Sequence, residues 1–109
     1  MKKTILLAIS LLIASAVSVQ AADVTANWKK HCASCHGKDG KGKTKAGRKA
    51  KVKNLTDVKY QASFTDEKMH QQIKEGMTVD GKKKMKAYGD KLNEDEIKAL
   101  VAFIRKFKK

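Results

Sequence analysis

The sharpest break in the polarity of the chain comes at its start. Met1-Lys2-Lys3 leads into an apolar run from Ile5 to about Val19, and small residues close the stretch at Val19-Gln20-Ala21. A basic start, an apolar run too short to cross a bilayer with flanks to spare, and small residues before a cut predict a secretory leader removed after Ala21. Residues 1–21 are therefore set apart, and 22–109 are expected to fold as one domain.

Beyond the leader, apolar positions recur at helical spacing in three places. Val24, Trp28 and Cys32 share one face of a first helix, which Asp23 or Thr25 can cap and Gly37 ends. Thr65 reads as the N-cap of a second helix, with Asp66 and Glu67 in its first turn, Met69 and Ile73 on one face and Gly76 as its stop. Asn93 followed by Glu96 makes a capping-box start, after which Ile97, Leu100, Val101 and Ile104 fall at i, i+3, i+4 and i+7. Arg105, Lys106, Lys108 and Lys109 complement the end of that last helix.

The stretches between these helices lack a period. Lys38 to Lys53 holds eight basic residues and one acid, which reads as a solvated loop. Leu55, Val58, Tyr60 and Phe64 predict an inward-packing loop with a turn of helix. Met77 to Leu92 is rich in glycine and lysine and is expected to be a loop. No segment shows strand alternation, so the expected fold class is all-α.

Size then changes the picture. The chain has 109 residues, a formal net charge of +14, no proline and two cysteines. A domain this short buries too little surface to be secure without a disulfide, a metal or a cofactor. A bridge between Cys32 and Cys35 would close a very small loop and constrain the unfolded chain little. With His36 next, however, Cys32-Ala33-Ser34-Cys35-His36 is the C-x-x-C-H pattern of covalent haem attachment. Two thiols add to the two vinyl groups of the porphyrin while the adjacent histidine turns beneath the ring towards iron.

Other readings of these residues lack their context. A redox-active C-x-x-C pair needs a preceding strand, and a zinc site needs four ligands where only His31 and His70 remain. Gly37 to Thr44 satisfies G-x-x-x-x-G-K-T, but no strand precedes it and no α/β domain surrounds it, so the glycines read as a turn leaving the first helix. A second axial ligand could come from Met69, Met77, Met85, His31 or His70. Met69 lies on an apolar helix face, and His31 is too near Cys32 to reach the opposite side of the ring. Met85 sits among lysines in a loop, where packing does not demand a methionine.

On these residues the sequence resembles the small class I monohaem c-type cytochromes of bacteria. The segment from Cys32 to Gly42 is similar to their haem-binding segment. Met85-Lys86-Ala87-Tyr88-Gly89-Asp90-Lys91-Leu92 and the helix after it are similar to their distal-methionine loop and terminal helix. The resemblance implies a small cytochrome c fold over 22–109, with helices wrapped around one haem c. It further implies thioether links at Cys32 and Cys35, proximal His36, distal Met85, and a crossing of the first and last helices at Trp28 and Phe103. Members commonly carry proline directly after the distal methionine, where this chain has Lys86.

The function expected is that of an exported, periplasmic electron carrier, monomeric and not an enzyme. The alternatives are a haem-based sensor or enzyme with an open distal site, or an electron-transfer subunit of a larger oxidoreductase. Lys82, Lys83, Lys84 and Lys86 flank Met85 and favour redox partners with acidic docking surfaces. Anionic membrane surfaces are a weaker partner. Nucleic acid is disfavoured, because the basic stretches lack stacking aromatics.

Overall fold

The computed structural model describes residues 24–109. The expected leader, and capping by Asp23, lie outside the described residues.

Residues 24–36 form helix α1, which is π-helical over Trp28–Cys32 and regular again over Ala33–His36. The amide of Ala33 donates to the carbonyl of Trp28, five residues back. Val24, Trp28 and Cys32 are all buried, as their spacing predicts. The widened turn leaves no trace in the hydrophobic pattern, because the three inward residues keep their i+4 intervals.

The basic stretch after Gly37 is not wholly a loop. Helix α2 spans Lys45–Ala50 and begins at Thr44, whose hydroxyl accepts from the Gly47 amide at 2.9 Å. Its side chains are charged or small, so helical burial writes no apolar stripe. Helix α3 spans Val58–Ala62 and is capped by the Asp57 carboxylate. Leu55 is buried beside it and Tyr60 and Phe64 pack against the core, whereas Val58 is exposed. Gln61 is almost fully buried, and its amide donates to the carbonyls of Leu55 (2.7 Å) and Ile104 (2.8 Å), joining the middle of the chain to its last helix.

Helix α4, Asp66–Glu75, starts at the Thr65 cap, buries Met69 and Ile73 and ends at Gly76. The expected loop after it is instead a two-stranded antiparallel hairpin, β1 Met77–Val79 with β2 Lys82–Met85. Asp80 and Gly81 reverse the chain, both in the left-handed region with φ of 53° and 75°. That Asp-Gly pair, and not strand alternation, is the hairpin's signal in the sequence.

Helix α5, Glu94–Arg105, carries the complete capping box and buries Ile97, Leu100, Val101 and Ile104. The carboxylate of Glu96 does double service. One oxygen accepts from the Asn93 amide and the other from the Asn27 side chain, both at 3.0 Å, so the cap of α5 is also a tie to α1. The Trp28 ring lies 5.4 Å from that of Phe103 and 5.0 Å from that of Phe107, which places the expected aromatic contact where these helices meet. Arg105 reaches back to Asp66 and to the carbonyls of Gln61 and Phe64, holding the α3–α4 connection rather than simply facing water.

Candidate functional site

The last turn of α1 brings Cys32, Cys35 and His36 together by local geometry alone. Both cysteines are free thiols; Cys32 is buried and Cys35 half-buried. Burial, and secondarily the neighbouring Cys35, push the Cys32 thiol up to about 12, so it stays protonated at neutral pH. The His36 ring is mostly buried, and burial lowers its pKa, which keeps the imidazole neutral. Among the described residues, its buried Nδ1 has no hydrogen-bond partner. A neutral imidazole with no hydrogen bond to surrender, two reduced thiols on the same helix and a polarisable thioether elsewhere in the core suit haem iron and its vinyl groups. The residues present therefore fit the group that the sequence pattern calls for.

The chain around His36 is held from both sides. The indole Nε1 of Trp28 donates to the Gly37 carbonyl at 3.1 Å, and the Trp28 and His36 rings lie 5.8 Å apart. The Thr44 hydroxyl donates to the Cys35 carbonyl at 2.9 Å, seating α2 on the end of α1. Gly47 makes that seating possible, since a Cβ there would run into the Cys35 carbonyl.

The turn that resembles a phosphate loop spends its groups internally. Gly42 N–H donates to the His36 carbonyl (2.8 Å), Gly40 N–H to the Gly37 carbonyl (3.3 Å) and Lys41 N–H to the Asp39 carboxylate (3.0 Å). Three of the turn's amides are thus already committed to groups of the chain itself.

The candidates for the second ligand separate by environment. Met69 is buried in α4. Met77 is exposed on β1, where its sulfur accepts from the Gln72 amide at 3.6 Å. His70 Nε2 lies 2.7 Å from the Glu94 carboxylate. His31 is half-buried, edge-on to Tyr88 with ring centroids 5.4 Å apart; burial, Lys30 and Lys91 lower its pKa, against a smaller opposite effect of Glu96. Met85 ends β2, paired with Met77 beyond a shift in register between Met77 and Thr78, and packs against the hydrophobic core. Its placement on a strand end, rather than in an open loop, follows from the hairpin.

Gln61, Tyr88 and Glu96 organise this region through long-range contacts, beyond the local cap that the Asn93–Glu96 spacing marks for Glu96. Each acts by a hydrogen bond to a partner at least 43 residues away. No local pattern records such a bond.

Among the described residues, no helix is long and apolar enough to cross a membrane.

A family model described as cytochrome c oxidase, cbb3-type, subunit III matches residues 19–104. Among solved structures the chain is similar to the KustC0563 c-type cytochrome, with 35% identity and a TM-score of 0.71 over 78% of this chain and 96% of that one. It is similarly close to a variant of that protein with one tyrosine replaced by phenylalanine, with 35% identity and a TM-score of 0.69 over 79% and 99% of the two chains. No curated protein matches the chain.

Proposed function

This chain belongs to the c-type cytochromes, in the family described as cytochrome c oxidase, cbb3-type, subunit III, and from that premise we propose that it is a periplasmic carrier of single electrons with His36 and Met85 as axial ligands. The domain carries covalently bound haem c, and its only two cysteines are consistent with that attachment. When bound, haem supplies a one-electron ferrous/ferric couple.

The observation that carries the reading is the α1 end: two free thiols and a neutral, mostly buried imidazole with an unpartnered Nδ1 within five residues. Cys32 and Cys35 would hold the porphyrin covalently through their sulfurs. His36 would hold the iron through a ring that is already largely buried. Met85 would offer the iron its thioether, a donor that favours the ferrous state and raises the potential. Trp28, Phe103 and Phe107 keep water from the His36 side of the core. The chain supplies fixed ligands and a dry surround, so electron transfer asks little rearrangement of it.

Lys82, Lys83 and Lys86 are exposed around Met85, and we assign them to docking of an acidic redox partner, with rates that fall as salt rises. Anionic membrane surfaces are a weaker second partner of the same charge. The leader expected at 1–21 and the haem attachment chemistry support export, and a monomeric shuttle suits a chain of this size.

The test is optical. Purified protein is titrated between its oxidised and reduced states and then exposed, reduced, to carbon monoxide at neutral pH. A reversible one-electron transition with no carbon monoxide binding supports the carrier. Fast stoichiometric binding overturns it in favour of a sensor or enzyme with an open site. Elution of the native protein in a large assembly on gel filtration would make it an oxidoreductase subunit instead of a shuttle.

A further inference from the structure

The Met85 segment needs a brace that the sequence does not advertise. Lys86 follows Met85 and the chain contains no proline, so no rigid ring stiffens this stretch. Instead, residues 85–89 form a strap pinned at three places. The Tyr88 amide donates to the Ile73 carbonyl at 2.9 Å and the Gly89 amide to the Lys74 carbonyl at 3.0 Å, fixing the strap to the last turn of α4. Gly76, at φ +77°, lies directly under it: a Cβ there would meet the Met85 carbonyl oxygen at 2.6 Å and the Ala87 nitrogen at 2.9 Å. Among the described residues, the third pin is the only one made by a side chain of the strap. The Tyr88 hydroxyl donates to the His31 carbonyl at 2.9 Å, half-buried, with its ring edge-on to the His31 ring.

His31 directly precedes Cys32, and Tyr88 lies three residues beyond Met85. One hydrogen bond therefore joins the backbone of the thiol-bearing helix to the strap that carries the methionine. We propose that Tyr88 is the positioning residue of the distal side, its hydroxyl clamping the Met85 strap to α1 and so limiting how often the sulfur leaves iron. The inference rests on the reading of Met85 as distal ligand. Tyr88 touches no reacting atom; it acts through the His31 carbonyl.

A foreign ligand can enter only while the methionine is away, so its apparent affinity scales with the open fraction of the distal side. Tyr88→Phe keeps the ring and its contact with His31 and removes only the donor. Loss of one half-buried hydrogen bond of ordinary net worth should raise that fraction on the order of fivefold. The experiment uses the ferric holoprotein and imidazole as probe, followed by loss of the weak sulfur-to-iron absorption band in the parent, in Tyr88→Phe and in Met85→Ala as reference, with thermal unfolding of each by circular dichroism. Expected are slow, weak imidazole binding by the parent, about fivefold tighter binding by Tyr88→Phe at the same pH, and immediate binding by Met85→Ala. Parent and Met85→Ala binding alike would remove Met85 as the ligand, and the clamp with it. Tyr88→Phe binding imidazole as the parent does, while Met85→Ala binds freely, would overturn the clamp alone and leave the ligand reading intact. A lower unfolding temperature for Tyr88→Phe without a change in imidazole binding would likewise overturn it, as a purely structural bond.

Discussion

The end of α1 and the strap at 85–89 face the same task, presenting a ligand, and solve it by opposite means. Cys32, Cys35 and His36 lie within five residues on one helix, so forming the helix places all three at once. Nearby contacts suffice to hold the result: Trp28 to the Gly37 carbonyl and Thr44 to the Cys35 carbonyl each span nine residues. Met85 is placed by the hairpin below it and by bonds to α4 and α1, one of them spanning 57 residues. The first arrangement survives as long as one helix does, whereas the second exists only when several elements have already docked. The methionine side is therefore the side expected to open first when the protein is stressed.

The largest effect that could break this contrast lies at the attachment residues. Replacing Cys32 and Cys35 together by alanine should abolish covalent haem, read as absence of haem staining on a denaturing gel. Staining that persists would place attachment elsewhere.

Next comes the aromatic wedge that serves the α1 end. Trp28→Ala empties a buried site among Phe103, Phe107 and His36 and frees the Gly37 carbonyl, for a loss of about 3–5 kcal/mol. Chemical denaturation followed by far-ultraviolet circular dichroism should show it; a loss below about 1 kcal/mol would mean that the wedge does not hold this end.

The strap is probed by a pair of methionines opposite one another in the hairpin. Met85→Ala should remove the sulfur-to-iron band of the ferric protein and admit carbon monoxide to the ferrous one. Met77→Ala, at an exposed strand position, should leave both unchanged and shift stability by no more than about 0.5 kcal/mol. The reverse pattern would move the ligand across the hairpin.

The smallest effect is one of pH, at the tie between α1 and α5. Hydrogen bonds from the Asn93 amide, then from the Asn27 side chain, hold the Glu96 carboxyl below its ordinary value of 4.5. A depressed pKa means that the unfolded chain binds the proton more readily. The stability Glu96 contributes is thus complete above about pH 4.5 and fades as pH falls through the lower folded value. Glu96→Gln should flatten the pH dependence of the unfolding midpoint across that window, while leaving the ligand bands untouched. An equally steep dependence in the variant would assign the acid sensitivity to other carboxyls.

The same division separates what could be read in advance from what could not. Helices α4 and α5 were legible residue by residue, because Thr65, Gly76, Asn93 and Glu96 act on backbone groups within a few positions and because their buried faces recur at helical spacing. The C-x-x-C-H segment was legible for the same reason, its chemistry being compressed into one turn. Helix α2 is not legible in the sequence because its inward contact is a glycine, Gly47, which adds no hydrophobic signal. The hairpin carries no alternation because its burial is slight, and only Asp80-Gly81 marks the turn.

What the sequence by itself determined was the set of helices with amphipathic faces and the haem-binding end of α1, since each depends on neighbours a few residues apart. Only the tertiary structure decided that Gln61 would join α3 to α5, that the Glu96 cap would tie α5 to α1, and that Tyr88 would pin the Met85 strap to the His31 carbonyl. Those bonds join positions distant in the chain, and a donor's choice among many backbone carbonyls is made only after hydrophobic packing has brought one of them within reach.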